Sequence, residues 1–214
     1  MCPGKWMYGS YFATILTDPT RYLKWALNTV KCSGIKVCQR KIETFVDLNF
    51  KYDVIVNCTG LGGKILCGDT AIVPLRGQVA KVAAPWIKNF FYGDYDTYII
   101  PSFDHVTLGG CRQYQSYSTE VSNYDYLAIR DRCEKLIPSL KEAELIGHRV
   151  GLRPHRIPVR VEKEYRNLEG KEIKIVHNYG HGGYGVTTAP GTALNAVGLV
   201  KEILVEKEVN CKFP

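Results

Sequence analysis

The sequence predicts an α/β fold in two lobes, a Rossmann-like parallel-sheet lobe and an antiparallel lobe inserted between its halves. Three observations predict it. The runs Asp53-Val54-Ile55-Val56-Asn57-Cys58 and 173–179 read as covered parallel strands, and each leaves into a glycine-rich turn. The stretch between them alternates like antiparallel strands. At 214 residues the chain can bury one large core or two small ones.

Taken in order, Asp18-Pro19 opens a helix, with Asp18 as cap and Pro19 in the first turn. Leu23, Ala26, Leu27 and Val30 form its apolar stripe, and Gly34 ends it. A short strand over 35–38 follows, then the strand 53–58, apolar on both faces, which exits through Thr59-Gly60-Leu61-Gly62-Gly63. Residues 78–82, 97–100, 105–110, 146–152 and 159–163 read as antiparallel strands, interrupted by a helix over about 122–136. The strand 173–179 leads into His181-Gly182-Gly183-Tyr184-Gly185 and a last helix with Thr188 as cap and Pro190 in its first turn. There Ala193, Val197, Val200 and Leu204 recur at helical spacing. This places residues 19–70 and 158–214 in the parallel lobe, and 1–18 and 71–157 in the antiparallel one.

The net charge of +7 is spread along the chain, which suits anionic ligands and carries no nucleic-acid motif. Cys2, Cys32, Cys38, Cys58, Cys67, Cys111, Cys133 and Cys211 include no CxxC pair and read as reduced, buried thiols of an intracellular protein. No run is apolar for long enough to cross a bilayer, and residues 1–9 lack the apolar core of a signal peptide. The terminal Cys211-Lys212-Phe213-Pro214 does not match a peroxisomal Ser-Lys-Leu address. No metal spacing and no nucleophile elbow is present, which leaves hydrolase and metalloenzyme readings weak.

The glycines at 182, 183 and 185 let backbone NH groups approach a flat or anionic cofactor beside a helix N-terminus, or they serve only a tight turn. Arg153, in Gly151-Leu152-Arg153-Pro154 at a strand end, can clamp a carboxylate or make a structural ion pair. Arg112, after Gly109-Gly110-Cys111, has the same two readings, whereas Arg156 and Arg160 read as solvated. The Tyr98 phenol can donate to a carboxylate or belong to a core. His177 and His181 read as loop hydrogen-bonding residues. Cationic clamps, a phenol and a cofactor turn without an obvious base point to redox chemistry carried by the cofactor.

His177-Asn178-Tyr179-Gly180-His181-Gly182-Gly183-Tyr184-Gly185, with Gly191 and Ala193 beyond it, resembles the signature of the D-amino-acid oxidase and D-aspartate oxidase family. Val54-Ile55-Val56-Asn57-Cys58-Thr59-Gly60, Arg76-Gly77-Gln78-Val79, Ala84-Pro85-Trp86, Val106-Thr107-Leu108-Gly109-Gly110 and Gly151-Leu152-Arg153-Pro154 match in family order. The resemblance implies FAD as cofactor and oxidation of a D-amino acid to a 2-oxo acid and ammonia, with O2 reduced to hydrogen peroxide. It implies substrate binding by Tyr98, Arg112, Arg153 and Gly183, with Arg153 on the α-carboxylate. It places Ile42, Thr59, Gly182, Gly183, Gly185, Val186 and Thr187 against the flavin. Arg112 matches an arginine that D-aspartate oxidases use near the second carboxylate, and the short run Phe91-Tyr92-Gly93-Asp94-Tyr95-Asp96-Thr97 also fits that branch. Phe91, where that branch carries another arginine, and Gly183-Tyr184 fit the neutral-substrate branch, and the balance favours acidic substrates.

The implied partners are a small D-amino acid and O2, with no nucleic acid, no membrane and homodimerisation left open. The implied location is peroxisomal or cytoplasmic. The βαβ unit with GxGxxG that opens the family does not occur in this sequence, so the FAD-binding lobe is expected to be incomplete and its hold on FAD weak. A neutral D-amino-acid oxidase, or an inactive truncated chain serving as a binding or dimer partner, are the alternatives.

Overall fold

The computed structural model describes residues 9–48 and 50–212, with side chains as far as Glu206. Residues 1–8, 213 and 214, which carry most of the leader and address readings, lie outside the described residues, as do Cys2 and the Cys211 side chain. In chain order the elements are α1 (Pro19–Cys32), β1 (Ile55–Asn57), α2 (Gly63–Leu66), β2 (Val73–Ala83), β3 (Phe91–Gly93), β4 (Thr97–Pro101), β5 (Val106–Gly109), β6 (Gln113–Tyr114), α3 (Asn123–Leu136), β7 (Glu144–Leu168), β8 (Lys171–His181) and α4 (Gly185–Lys212). Short 3-10 turns occupy Phe45–Leu48, Gly60–Gly62, Pro138–Glu142 and Gly182–Tyr184. The chain divides into two units, one of Met1–Val37 with Arg76–Leu152, the other of Cys38–Leu75 with Arg153–Pro214. Strands β2 and β7 run from one unit into the other.

In the first unit, antiparallel pairing sets β3 beside β4, β4 beside β5 and β5 beside β2, with Ile99 opposite Leu108 and Leu108 opposite Ala80. The apolar residues that alternate along these strands bury one face, and α3 covers it. Ala80, Val82, Ile99, Val106, Leu108, Ile129, Cys133 and Leu140 form this core. Ser122 caps α3 by accepting from Asp125 N at 3.2 Å. Asp18 caps α1 by accepting from Thr20 N at 2.9 Å, and Gly34, at φ +77°, follows its end.

In the second unit, β1 lies parallel to β8, with Ile55 opposite Ile175 and Asn57 opposite His177, and β8 is antiparallel to β7. Strand β8 is buried on both faces. Ile173 and Ile175 pack on Phe45, while Val176 packs on Ala196 and Ile203 of α4.

Several sequence expectations are corrected. Residues 35–38 form no strand, since no described strand pairs with them and Ile35 and Val37 are exposed. No residue of α1 is buried, so its apolar stripe faces outward, and α1 groups with the first unit. Val56 is 48% exposed, so β1 is covered on one face only. Helix α4 begins at Gly185, directly from the 3-10 turn, so Thr188 and Pro190 lie inside it. Its buried stripe is Ala196, Leu199, Val200 and Ile203, and Val197 and Leu204 face outward. Of the described cysteines only Cys133 is buried; Cys32, Cys38 and Cys58 are exposed, on α1, the unpaired segment and the exit of β1. Among the described residues no group could hold a metal, and no helix is long and apolar enough to cross a membrane.

Candidate cofactor-binding and substrate-binding residues

Because β1 and β8 are parallel neighbours, their two glycine-rich exits leave the sheet at the same end. Gly60 at φ +58° and Gly182 at φ +57° make the turns, a backbone conformation that favours glycine. Strand β7 lies tightly against both. A Cβ on Gly60 would stand 3.4 Å from Pro154, one on Gly180 2.7 Å from Arg156 Cβ, one on Gly182 3.1 Å from His155 Nδ1, and one on Gly183 3.4 Å from Arg153 Cδ. Four consecutive residues, 153 to 156, are thus seated on four glycines of β8 and the two exits. Arg153 lies within β7 and not at a strand end, since β7 joins the two runs the sequence shows separately; the register shifts between His155 and Arg160.

A directional chain of hydrogen bonds runs from Thr59 to Glu164. Thr59 N and Oγ1 donate to Asn57 Oδ1 at 3.2 and 2.8 Å. Asn57 Nδ2 in turn faces His177 Nδ1 at 3.1 Å, which leaves the proton on His177 Nε2, and that nitrogen donates to Glu164 Oε2 at 2.9 Å. His177 is fully buried, within a strand and not in a loop. Burial pushes its pKa down, and it sits in the fold as neutral imidazole. Burial alone would raise the Glu164 pKa, but hydrogen bonds from Arg166 and His177 hold it below the usual range. Both shifts act in one direction. A histidine held neutral contributes stability that is present above its unfolded pKa of about 6.5 and is lost as pH falls toward the folded value. The carboxylate contribution is lost at lower pH still. The melting temperature is therefore expected to drop between about pH 7 and 5, and His177→Gln to flatten that slope in calorimetric melts, because glutamine keeps both hydrogen-bonding ends without a titration. An unchanged slope would remove His177 from the acid response.

Arg156 and Arg160 are not solvated. Arg156 Nε donates to Asp69 Oδ2 at 2.8 Å, and Tyr179 Oη donates to the same oxygen at 2.8 Å. Arg160 reaches Tyr179 Oη at 2.9 Å and Glu164 at 2.9 Å. Burial would raise the Asp69 pKa, but hydrogen bonds from Tyr179 and Ala71 N, with the Arg156 charge, hold it down. Sequence reasoning missed this network. Asp69 stands in a loop, and the signal for it is weak: two arginines four residues apart on β7.

In the first unit Tyr98 lies opposite Gly109 in the β4–β5 pairing. A Cβ on Gly109 would overlap its ring, and one on Gly110 would come within 2.7 Å of it, so the phenol needs both glycines. Arg132 fixes this turn by donating to Gly110 O at 2.7 Å. Arg112, two residues on, is 44% exposed and pairs through Nε with Asp96 Oδ1 at 2.9 Å.

Of the candidates named from sequence, Thr59, Arg153, Gly182, Gly183, Gly185, Val186 and Thr187 are brought together by the two exits in the second unit, with Gly183, Val186 and Thr187 facing outward. Ile42 is in the same unit, half-buried in the irregular stretch before the Phe45–Leu48 turn. Tyr98 and Arg112 belong to the first unit.

Residues 1–198 match the model of the DAO family, described as FAD dependent oxidoreductase. Human D-aspartate oxidase is 41% identical over 199 residues, covering 92% of this chain and 58% of that protein. D-aspartate oxidase 1 of Caenorhabditis elegans is 36% identical, covering 91% and 59%, and a D-amino acid oxidase of Dugesia ryukyuensis 35%, covering 94% and 62%. The chain thus spans about three fifths of the length of these relatives. Glycine oxidase from Geobacillus kaustophilus aligns with a TM-score of 0.61 at 20% identity, over 70% of this chain and 41% of that one. At that identity the likeness is one of fold.

Proposed function

Because the chain belongs to the DAO family of FAD-dependent oxidoreductases, we propose that it serves the oxidation of a D-amino acid, D-aspartate favoured, to a 2-oxo acid, ammonia and hydrogen peroxide. The observation that carries this reading is the seating of Arg153 on Gly183, beside two parallel-strand exits. The local geometry fits a flat cofactor. The exits are side-chain-free where β7 crosses them, and α4 opens its N-terminus at Gly185.

In this reading Thr59, Gly182, Gly183, Gly185, Val186, Thr187 and Ile42 hold FAD, which supplies the hydride acceptor and the route to O2. The hydrogen of Thr59 Oγ1 is committed to Asn57, so this hydroxyl meets the cofactor as an acceptor. Arg153 binds the α-carboxylate as a fork, and its packed stem fixes the direction of that fork. Of the first unit's candidates, Tyr98 offers a phenol donor to a substrate carboxylate, and Arg112 takes the second carboxylate of an acidic side chain. The partners are a small D-amino acid and O2, and a second copy of the chain where the protein dimerises. The Arg112–Asp96 pair favours a second reading, a preference for neutral D-amino acids, because a carboxylate already beside the arginine competes with a substrate carboxylate for its donors.

The test is anaerobic mixing of the FAD-loaded protein with D-aspartate, D-alanine and L-aspartate while the visible flavin band is followed. Bleaching fastest with D-aspartate is expected. Faster bleaching with D-alanine supports the second reading, and no bleaching by either D-amino acid overturns both.

A further inference from the structure

We propose that Asp96 is a positioning residue for Arg112 and thereby sets the preference for a second carboxylate, an inference that builds on the role given to Arg112 above. The hairpin between β3 and β4 holds Tyr95 at φ +55° and Asp96 at φ +56°, two successive side-chain-bearing residues in a region that favours glycine. Thr97 N donates to Asp94 O at 3.0 Å, which closes the turn. Such backbone positions persist where the surroundings hold them, and here Asp96 gains an ion pair. Its Oδ1 takes Arg112 Nε at 2.9 Å and accepts from Tyr92 Oη at 3.4 Å.

Two consequences follow from the geometry of a guanidinium fork. With Nε engaged by Asp96, a carboxylate that docks bidentately on Arg112 must use the edge formed by the two Nη groups. The plane of that edge is then set by Asp96. The pair is also partly solvated, with the side chains 44% and 26% exposed, so it orients the arginine without quenching its charge as a dry pair would. Asp96 thus acts on the second carboxylate alone, and through Arg112.

Glycine deletes the Asp96 side chain while suiting the positive φ, and asparagine keeps an acceptor for Nε without the charge. Succinate and butyrate, which share a four-carbon chain and differ by one carboxylate, are titrated calorimetrically into the wild-type protein and the Asp96→Gly, Asp96→Asn and Arg112→Leu variants. Asp96→Gly is expected to weaken succinate about threefold and leave butyrate unchanged, while Asp96→Asn stays within about twofold of wild type or binds tighter. With the FAD-loaded protein the same pattern appears in KM for D-aspartate and not in kcat. Succinate bound equally or better by Asp96→Gly overturns the inference, because Asp96 would then only compete with the ligand. Equal weakening of both ligands overturns it too, by reducing Asp96 to a hairpin residue. A wild-type protein that does not prefer succinate, or an Arg112→Leu variant that keeps the preference, overturns the reading of Arg112 and the inference with it.

Discussion

If Arg153 binds the α-carboxylate as proposed, replacing it by leucine lowers kcat/KM on the order of 100-fold for D-aspartate and D-alanine alike, because the carboxylate common to both loses its fork. A hydrogen bond to a charged group contributes about 1.5 to 3 kcal/mol net of its exchange with water, and about 3 kcal/mol corresponds to that factor. The α-carboxylate is held equally before and during reaction, so the loss should fall mainly on KM. Lysine at the same position restores little, since an ammonium cannot present two parallel donors. The site should remain folded. The Arg153 stem lies over Gly183 in ordinary contact, so leucine leaves only a shallow gap over that glycine. Steady-state kinetics with both substrates and a thermal melt decide the matter: an unchanged KM at unchanged stability would show that Arg153 does not bind the substrate.

What the sequence made legible here follows from which physical signals are local. Asp18 and Ser122 are read as caps or helix starts because a cap bonds to its own first turn, and both do so in the fold. Two apolar runs ending in glycine read as strands of one parallel lobe, and β1 and β8 pair in parallel, although the exposed Val56 leaves β1 covered on one face only. The seating of residues 153 to 156 on glycines is only half visible. Gly182 and Gly183 announce a close approach, but nothing local says that β7 is what approaches. Asp69 is the opposite case. A loop aspartate and two strand arginines have the pattern of solvated charges, and they become a network only because β7 and β8 pair with Arg160 opposite Tyr179. The stripe of α4 differs from its sequence expectation for a related reason: the helix holds apolar residues on more than one face, and the partner Val176 selects Ala196 and Ile203. The Asp96–Arg112 pair depends on a hairpin whose two positive φ values fall on residues that do not favour them.

The largest stability loss is expected from Asp125→Ala, which leaves Arg76 buried without its counter-ion. Arg76 and Gln78 stand two apart on β2 and so share a face, and both reach the start of α3. Arg76 donates to Asp125 Oδ2 at 2.8 Å, Gln113 Oε1 at 2.8 Å, Gln78 Oε1 at 3.1 Å, Ser118 O at 3.0 Å and Glu120 O at 2.6 Å. Its side chain is 3% exposed and that of Asp125 8%. Asp125 occupies the third helical position after the cap Ser122, where an acidic side chain often turns back to the cap NH. Here that NH donates instead to Gln78 Oε1 at 2.8 Å, which frees Asp125 for the arginine. One carboxylate thus neutralises a cation that four uncharged acceptors only solvate. Breaking such a buried pair from one side costs about 3 to 5 kcal/mol, against about 0 to 1 kcal/mol for an exposed pair. Asp131→Ala, which breaks the exposed pair with Lys135 on the same helix, is the control and should be nearly silent. At about 2 to 4 °C per kcal/mol for a chain of this size, Asp125→Ala should lower the melting temperature by roughly 10 °C, with Asp125→Asn in between because it keeps an acceptor. A thermal melt or urea titration showing Asp125→Ala and Asp131→Ala equally mild would mean that the carbonyls and glutamines around Arg76 carry its charge unaided.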